Sequence, residues 1–231
     1  MTEKEILHEL DMYLSLYYDE YDDDEINFIR NNLYKFYDKG IQIDITSQIL
    51  VALNLMKDKD NRYKKYFEFL KNRYNLEQNI LEVACGRFPA LSKYIDEYQK
   101  EIKKGTITAY DPKLVTTKYG NIILNKSLFD KKTDLTNISL ITAMHPSEAT
   151  IPIIRIANQN DKDFSILTCS CTHFENENEF FYYKRRLMSW TDYLYKIARN
   201  SLSKSRTIDI DYIEGVKTPI ISSRKKVKII K

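Results

Sequence analysis

Three residues in the sequence combine reactive side chains with a place just after a β-forming run. His145 and Glu148 follow the run 138–143, and Asp111 follows the run 106–110. An imidazole can exchange a proton near neutral pH, and a carboxylate can accept hydrogen bonds from two neighbouring hydroxyls. The sequence therefore predicts proton transfer at His145, with Glu148 beside it, and recognition of ribose hydroxyls at Asp111.

A loop between two predicted elements is a further candidate for ligand binding. The run 80–84 ends in small residues and Gly86, and apolar residues then recur at helical spacing after Pro89. Proline suits the first position of a helix, because its missing N–H would have no partner there. The segment predicts a strand, a tight loop and a helix N-terminus, an arrangement that can hold a polar ligand.

The elements that must position these residues alternate between strands and helices from residue 79 onward. The predicted strands are 80–84, 106–110, 122–124, 138–143 and 164–169, and the helices among them are 89–102 and 148–158. This alternation predicts right-handed βαβ units and therefore an α/β fold with a mostly parallel, doubly wound sheet. A helix over 176–201 and an antiparallel hairpin of 207–213 and 216–221 are predicted to complete it, and 227–230 is one more β run.

The first third of the chain has a helical pattern instead. Apolar residues recur at helical spacing in four stripes, which include Ile6 to Tyr17, Ile26 to Phe36, Ile45 to Met56 and Tyr63 to Tyr74. We therefore predict an N-terminal helical cap over residues 1–76 and a Rossmann-like domain over 77–231. Tyrosines on these stripes are expected to pack in the core.

The motifs of the predicted α/β domain resemble a known fold family. The pattern acidic-x-small-x-glycine at Glu82, Ala84 and Gly86, followed by Asp111 after the second strand, resembles the class I S-adenosylmethionine-dependent methyltransferases. Ala84 and Phe88 stand where that family usually has glycines. The run 86–89, Gly-Arg-Phe-Pro, is also similar to the loop of a poorly characterised archaeal Rossmann-like family.

The resemblance implies a cofactor and a set of site residues. The implied cofactor is S-adenosyl-L-methionine, and His145 and Glu148 are the implied catalytic pair. The implied cofactor-binding residues are Glu82, Ala84, Cys85, Gly86, Arg87, Asp111, Pro112, Ser127, Leu128 and Met144. Asp111 is expected in an exposed turn. Two structural alternatives stay open. Glu82 could cap a helix or form an ion pair, and Ser147 and Glu148 could cap the helix that follows them.

Composition limits the environment and the partners. The chain has 231 residues and a net charge of +3, with acidic residues concentrated near the start and basic residues after Lys217. No apolar run approaches the ~20 residues that span a bilayer, and the start lacks a secretory pattern, so no membrane contact and a cytoplasmic location are expected. Three cysteines favour reduced thiols. Cys169, Cys171 and His173 could supply metal ligands, but their spacing is unusual and no metal is predicted.

These observations lead to one functional hypothesis and two rivals. The hypothesis is an S-adenosylmethionine-binding transferase, a methyltransferase acting on a small-molecule acceptor that the cap covers; transfer of the aminocarboxypropyl group stays open. One rival is a non-catalytic binding or assembly module. The other is an RNA-modifying methyltransferase that grips RNA through residues 184–186, Trp190 and the basic end. Whether the chain forms a homo-oligomer also stays open.

Overall fold

The computed structural model describes residues 3–14, 23–37, 62–115, 118–169, 180–183, 186–214, 216 and 218–226. The chain forms two compact units, Met1–Lys59 and Asp60–Lys231. The fourth predicted apolar stripe therefore belongs to the same unit as the sheet. The function of the first unit as a cap stays a prediction.

The first unit contains two described helices, α1 (Glu3–Leu14) and α2 (Asp23–Tyr37). Their apolar stripes are buried as the helical spacing predicts, at Leu10, Leu14, Ile26, Ile29 and Leu33. An ion pair between Arg30 and Asp11 joins the two helices. The helix that we predict over 45–56 lies outside the described residues.

The second unit is built on a seven-stranded sheet. Its strands are β1 (Ile80–Val83), β2 (Ile107–Tyr110), β3 (Ile123–Asn125), β4 (Leu140–Met144), β5 (Asp163–Leu167), β8 (Arg206–Asp211) and β9 (Ile220–Lys225), and β6 (Phe180–Tyr183) pairs separately with β7 (Arg186–Ser189). The helices are α3 (Arg62–Arg73), α4 (Ala90–Ile102), α5 (Thr150–Gln159) and α6 (Trp190–Asn200). No helix in the described part of the chain is long and apolar enough to cross a membrane.

The strand order is β3-β2-β1-β4-β5-β9-β8. The first five strands are parallel, and β9 is antiparallel to both β5 and β8. This is the methyltransferase-like Rossmann arrangement, so the predicted α/β fold is confirmed. The central strands β1 and β4 are buried along their whole length, as expected when helices cover both faces of a parallel sheet.

Helix α3 lies on one face of the sheet and is attached to it by tyrosine hydroxyls. Tyr66 Oη donates to Ser165 Oγ at 3.0 Å and lies 3.1 Å from Thr142 Oγ1, which joins α3 to β4 and β5. Tyr74 Oη donates to the carbonyl of Phe164 at 3.0 Å. Burial raises the pKa of Tyr74 to about 12 and raises that of Tyr66 further, so both hydroxyls stay protonated donors.

The C-terminal hairpin β8–β9 is held to the sheet by a buried arginine. The guanidinium of Arg206 forms ion pairs with Asp161 and Asp163 at the start of β5, and its Nε donates to Ser223 Oγ on β9 at 3.2 Å. Arg206 is only 2% exposed, so its charge must be paired within the protein. An antiparallel hairpin is present as predicted, but its second strand begins at Ile220 and not at residue 216.

The helix predicted over 176–201 is wrong at 180–183 and 186–189, and residues 176–179 lie outside the described part of the chain. Strands β6 and β7 form an antiparallel pair over residues 180–189, and helix α6 begins at Trp190. Four consecutive aromatic residues at 180–183 favour an extended chain, because aromatic side chains pack well on a pleated surface. Their partial agreement with helical spacing concealed that preference.

We expect removal of the Tyr66 hydroxyl to destabilise the second unit. Tyr66→Phe leaves the buried hydroxyls of Thr142 and Ser165 without a partner and should lower the free energy of unfolding by about 1–3 kcal/mol. Tyr212→Phe is the matched control, because Tyr212 is 70% exposed and should change stability by less than about 0.5 kcal/mol. Urea denaturation with an unchanged m-value measures both. Equal effects of the two changes would contradict the assignment.

Candidate functional site

The predicted site residues lie at one edge of the sheet. Because β2, β1 and β4 are adjacent and parallel, the residues that follow Tyr110, Val83 and Met144 all lie at the carboxyl edge. Asp111, Gly86 and His145 therefore come together where Rossmann-like sheets bind ligands. The structure agrees with the sequence-based placement of these three residues.

The loop after β1 is held by the carboxylate of Asp111. The N–H of Gly86 donates to Asp111 Oδ2 at 2.9 Å, and the N–H of Lys113 donates to Asp111 Oδ1 at 2.7 Å. Gly86 has a φ of +75°, a conformation that favours glycine. Asp111 is 7% exposed, so the expectation of an exposed turn is wrong. Its carboxylate is buried because it satisfies two main-chain donors.

Glu82 lies below the same loop and contacts helix α4. Its Oε2 accepts a hydrogen bond from the N–H of Ser92 at 2.9 Å and a short one from the Ser92 hydroxyl. Ser92 is the third residue of α4, where main-chain N–H groups have no partner within the helix. Of the two alternatives for Glu82, the structure thus shows helix capping. Burial raises the pKa of Glu82 to about 7, the bonds from Ser92 oppose this shift, and Asp111 adds to it.

The remaining residues of the loop are constrained by burial, backbone conformation and one main-chain hydrogen bond. Phe88, in place of the family's third glycine, is 2% exposed, so its ring is packed within the protein. Ala84 has a φ of +56°, which is strained for a residue with a Cβ. The carbonyl of Arg87 accepts a hydrogen bond from Val115 at 3.2 Å, which connects the loop to the segment after β2. Burial also raises the pKa of Cys85, so its thiol stays protonated.

The segment after β3 contributes an exposed apolar side chain. Leu128 is 73% exposed, and Ser127 is exposed beside it with its N–H bonded to the carbonyl of Asn125 at 2.9 Å. Asn125 in turn accepts a hydrogen bond from the N–H of Asp111 at 3.2 Å. The predicted residues Ser127 and Leu128 therefore neighbour the Asp111 turn. Pro112, the next residue in that turn, is exposed.

His145 follows the buried Met144 at the end of β4 with a φ of +52°. Its N–H donates to the carbonyl of Leu167 at 2.8 Å, and Nδ1 lies 2.9 Å from the carbonyl of Thr168. Nε2 is buried and has no hydrogen-bond partner among the described residues. Burial is the main cause that lowers the pKa of His145, and the positive charge of Arg62 lowers it further. The imidazole is therefore neutral at neutral pH.

Glu148 occupies a different position from His145. It is exposed in a single 3₁₀ turn, Ser147–Ala149, whereas the ring of His145 is bonded to Thr168. The residue at the N-cap of α5 is Ala149, so neither Ser147 nor Glu148 occupies the capping position that the alternative gave them. Ser147 has a φ of +47°, so left-handed residues follow β4 as well as β1.

Sequence reasoning missed two residues that hold the site, Ser92 and Thr168. Ser92 could have been found, since a buried acid near the third residue of a helix has a main-chain donor available. Thr168 gave no sequence signal, because its contact with His145 depends on the pairing of β4 with β5.

The cysteines differ from the prediction. Cys85 is a buried free thiol, but Cys169 forms a disulfide, so the expectation of reduced thiols is wrong at that position. Within the described residues, no group of three histidine, cysteine, aspartate or glutamate side chains could hold a metal ion. Cys171 and His173 of the proposed ligand set lie outside the described residues.

We expect Glu82 to make stability depend on pH. Its pKa is near 4.5 when unfolded and about 7 when folded, so the folded state binds the proton more tightly. Stability should therefore fall as the pH rises from about 4.5 to about 7, by about 3 kcal/mol. Glu82→Gln should remove this contribution, and the difference between the two urea-denaturation curves across pH measures it.

The matched control for this experiment is Glu101→Gln, which changes an exposed carboxyl near the end of helix α4. It should keep the pH dependence of the wild type. Parallel stability curves for the wild type and Glu82→Gln would show that the pKa of Glu82 is the same in the folded and unfolded states, which would contradict the prediction.

No protein-family model matches the sequence, and no curated protein sequence matches it either. Solved structures of similar fold include an S-adenosylmethionine-dependent methyltransferase from Aquifex aeolicus, at 12% identity and a TM-score of 0.48, over 78% of this chain and 98% of the other. Another is the magnesium protoporphyrin IX methyltransferase from Synechocystis PCC 6803 with bound S-adenosylhomocysteine. It is 12% identical with a TM-score of 0.48, over 88% of this chain and 100% of the other.

A third similar structure is a ribosomal RNA methyltransferase, putative by its own description, from Plasmodium falciparum. It is 15% identical with a TM-score of 0.46, over 71% of this chain and 95% of the other. The fold assignment itself rests on the strand order and strand directions of this chain.

Proposed function

We propose that this chain is an S-adenosylmethionine-dependent methyltransferase that acts on a small molecule. The observation that carries this proposal is the bond from Gly86 N–H to Asp111 Oδ2, at the carboxyl edge of β1 and β2. This bond joins a glycine loop and an acidic residue into one surface. In Rossmann-like folds, a glycine loop and an acidic residue in these positions recognise a nucleoside.

The residues present fit this cofactor. Each carboxylate oxygen of Asp111 accepts one main-chain N–H and keeps a second lone pair, so both can still accept a ribose hydroxyl. Leu128 offers an exposed apolar surface for a flat base, and Phe88 is packed inside the protein. The residues that would hold the cofactor are Ala84, Cys85, Gly86, Arg87, Asp111, Pro112, Ser127, Leu128 and Met144.

Glu82 takes a supporting role in this proposal. Its carboxyl is bonded to Ser92, so it fixes the start of α4 under the loop instead of contacting the ligand. When bound, the cofactor supplies an electrophilic methyl group. The residues of this chain then have to orient the acceptor and, where the acceptor loses a proton, receive that proton.

His145 is the residue we propose for that proton transfer. It lies at the end of β4, which is adjacent to β1, and its neutral imidazole has a buried Nε2. Glu148 is exposed on the following turn, where it can contact an acceptor that enters from solvent. We also propose that the N-terminal unit covers the acceptor.

The charges at the basic end favour a small-molecule acceptor over RNA. Arg224 Nε lies 3.6 Å from Asp209, and Lys225 Nζ lies 3.6 Å from Asp161. Lys226 Nζ donates to the carbonyl of Lys204 at 2.8 Å. These three side chains have partners on the protein surface, so contacts with phosphates are not needed to account for them.

Calorimetric titration with S-adenosylmethionine, S-adenosylhomocysteine, NAD and ATP tests the proposal. We expect the first two ligands to bind and Asp111→Asn to weaken their binding roughly ten- to a hundredfold, because an NH2 group, which cannot accept a hydrogen bond, replaces one carboxylate oxygen. Because Asp111 is buried, this variant should also lose stability. The titrations should therefore be carried out well below its melting temperature.

Asp130→Asn is the matched control. Asp130 Oδ1 accepts the N–H of Lys132 at 2.8 Å, as Asp111 Oδ1 accepts that of Lys113 at 2.7 Å, but Asp130 is exposed. Its replacement should leave cofactor affinity unchanged. Absence of binding of any adenosine-containing ligand at millimolar concentration would favour the non-catalytic module, and tight, salt-dependent RNA binding would favour the RNA-modifying enzyme.

A further inference from the structure

The imidazole of His145 is fixed through one of its two nitrogens. Nδ1 lies 2.9 Å from the carbonyl oxygen of Thr168. A carbonyl oxygen can only accept, so Nδ1 must carry the hydrogen, and the neutral ring then has its lone pair on Nε2. Nε2 is the buried atom that has no partner among the described residues, so a ligand's donor can satisfy it.

The carbonyl that fixes the ring is itself held firmly. The N–H and the hydroxyl of Thr168 both donate to the carbonyl of Pro219, at 3.0 Å and 2.8 Å. Thr168 is 1% exposed, and the preceding residue, Leu167, accepts the N–H of His145 at 2.8 Å. His145 is thus tied through Thr168 to the connection between β8 and β9.

That connection is attached in turn to the start of helix α3. Lys65 Nζ donates to the carbonyl of Glu214 at 3.0 Å. Helix α3 precedes the amino end of β1 in the chain, so its own N-terminus lies at the carboxyl edge, and Arg62 begins it. The charge of Arg62 and the N-terminal end of the helix both make this corner positive.

Three acidic side chains of the described residues lie near this edge of the sheet, and each has its own environment. Asp111 is bonded to two main-chain N–H groups, Glu82 lies under the loop against Ser92, and Glu148 is exposed to solvent. A positive corner disfavours an ammonium group and stabilises an oxygen that is becoming negative. The acceptor that suits it carries a hydroxyl.

We propose that Thr168 is a positioning residue that holds His145 in the Nδ1–H tautomer, so that Nε2 receives the proton of an acceptor hydroxyl. The O–H bond breaks, its electron pair stays on the oxygen, and the proton forms the second N–H bond of an imidazolium, which later releases it to water. This inference rests on the proposed function, since it places the acceptor beside His145.

Nitrogen-15 NMR of the imidazoles in the full chain tests the tautomer. The chain has only three histidines, and His145→Asn assigns the signal because asparagine tolerates the left-handed backbone found there. We expect a protonated Nδ1 and an unprotonated Nε2 at pH 7.5. An Nε2–H tautomer in the wild type would overturn the proposal.

Three threonine variants test the role of residue 168. Thr168→Val removes the hydroxyl bond to Pro219 and should give a mixture of tautomers with at least tenfold faster exchange of the Nδ1 hydrogen, whereas Thr168→Ser should restore the wild-type signals. Thr142→Val is the matched control, because it removes an equally buried hydroxyl that contacts Tyr66. Identical signals in all three variants would overturn the positioning role.

Phenol and benzylamine, which are similar in size, test the acceptor class. Phenol should shift the Nε2 resonance of His145 towards that of an imidazolium, and benzylamine should leave it unchanged. A response to benzylamine alone, or to neither, would overturn the hydroxyl assignment. These spectra need no cofactor, so failure of cofactor binding in calorimetry contradicts the proposed function separately.

Discussion

The hydrogen bond from the N–H of Gly86 to the carboxylate of Asp111 is the contact on which the candidate site depends. It joins the loops that follow two adjacent parallel strands, and a second bond from Lys113 fixes the other carboxylate oxygen. A buried carboxylate is stable only when donors surround it, and here the main chain of the site supplies them. The same interaction therefore shapes the loop and keeps a hydrogen-bond acceptor at the carboxyl edge of the sheet.

A second buried acid supports the loop by a different route. Glu82 is in β1 itself, and its carboxyl receives the main-chain N–H and the hydroxyl of Ser92 in the first turn of α4. Burial raises the pKa of Glu82 to about 7, the bonds from Ser92 oppose this shift, and the nearby Asp111 adds to it. Two neighbouring carboxyls thus hold the strand–loop–helix unit, and the one that accepts two main-chain N–H groups, Asp111, follows strand β2.

The part of the candidate site around His145 is arranged by elements that are far apart in the chain. Tyr66 joins α3 to β4 and β5, and Lys65, one residue earlier, contacts the connection between β8 and β9. That connection fixes Thr168, whose carbonyl fixes His145. Strain is stored at the same edge, since Ala84, His145 and Ser147 all have positive φ values, which are costly for residues other than glycine. Such strain persists only where the surroundings hold it.

The sequence by itself determined the fold class and the edge of the sheet at which the candidate site residues lie. Alternating β runs and amphipathic segments are local patterns, and the parallel sheet that they imply collects the strand ends with Gly86, Asp111 and His145 on one side. Local patterns failed at 180–189, where aromatic residues fit two periodicities and strand pairing decided between them. Only the tertiary structure decided that Asp111 is buried, that Glu82 bonds Ser92, and that Thr168 orients His145. Each of these depends on donors and acceptors brought together by packing across 10 to 25 residues of chain, and the identity of a residue does not reveal which partner it will meet.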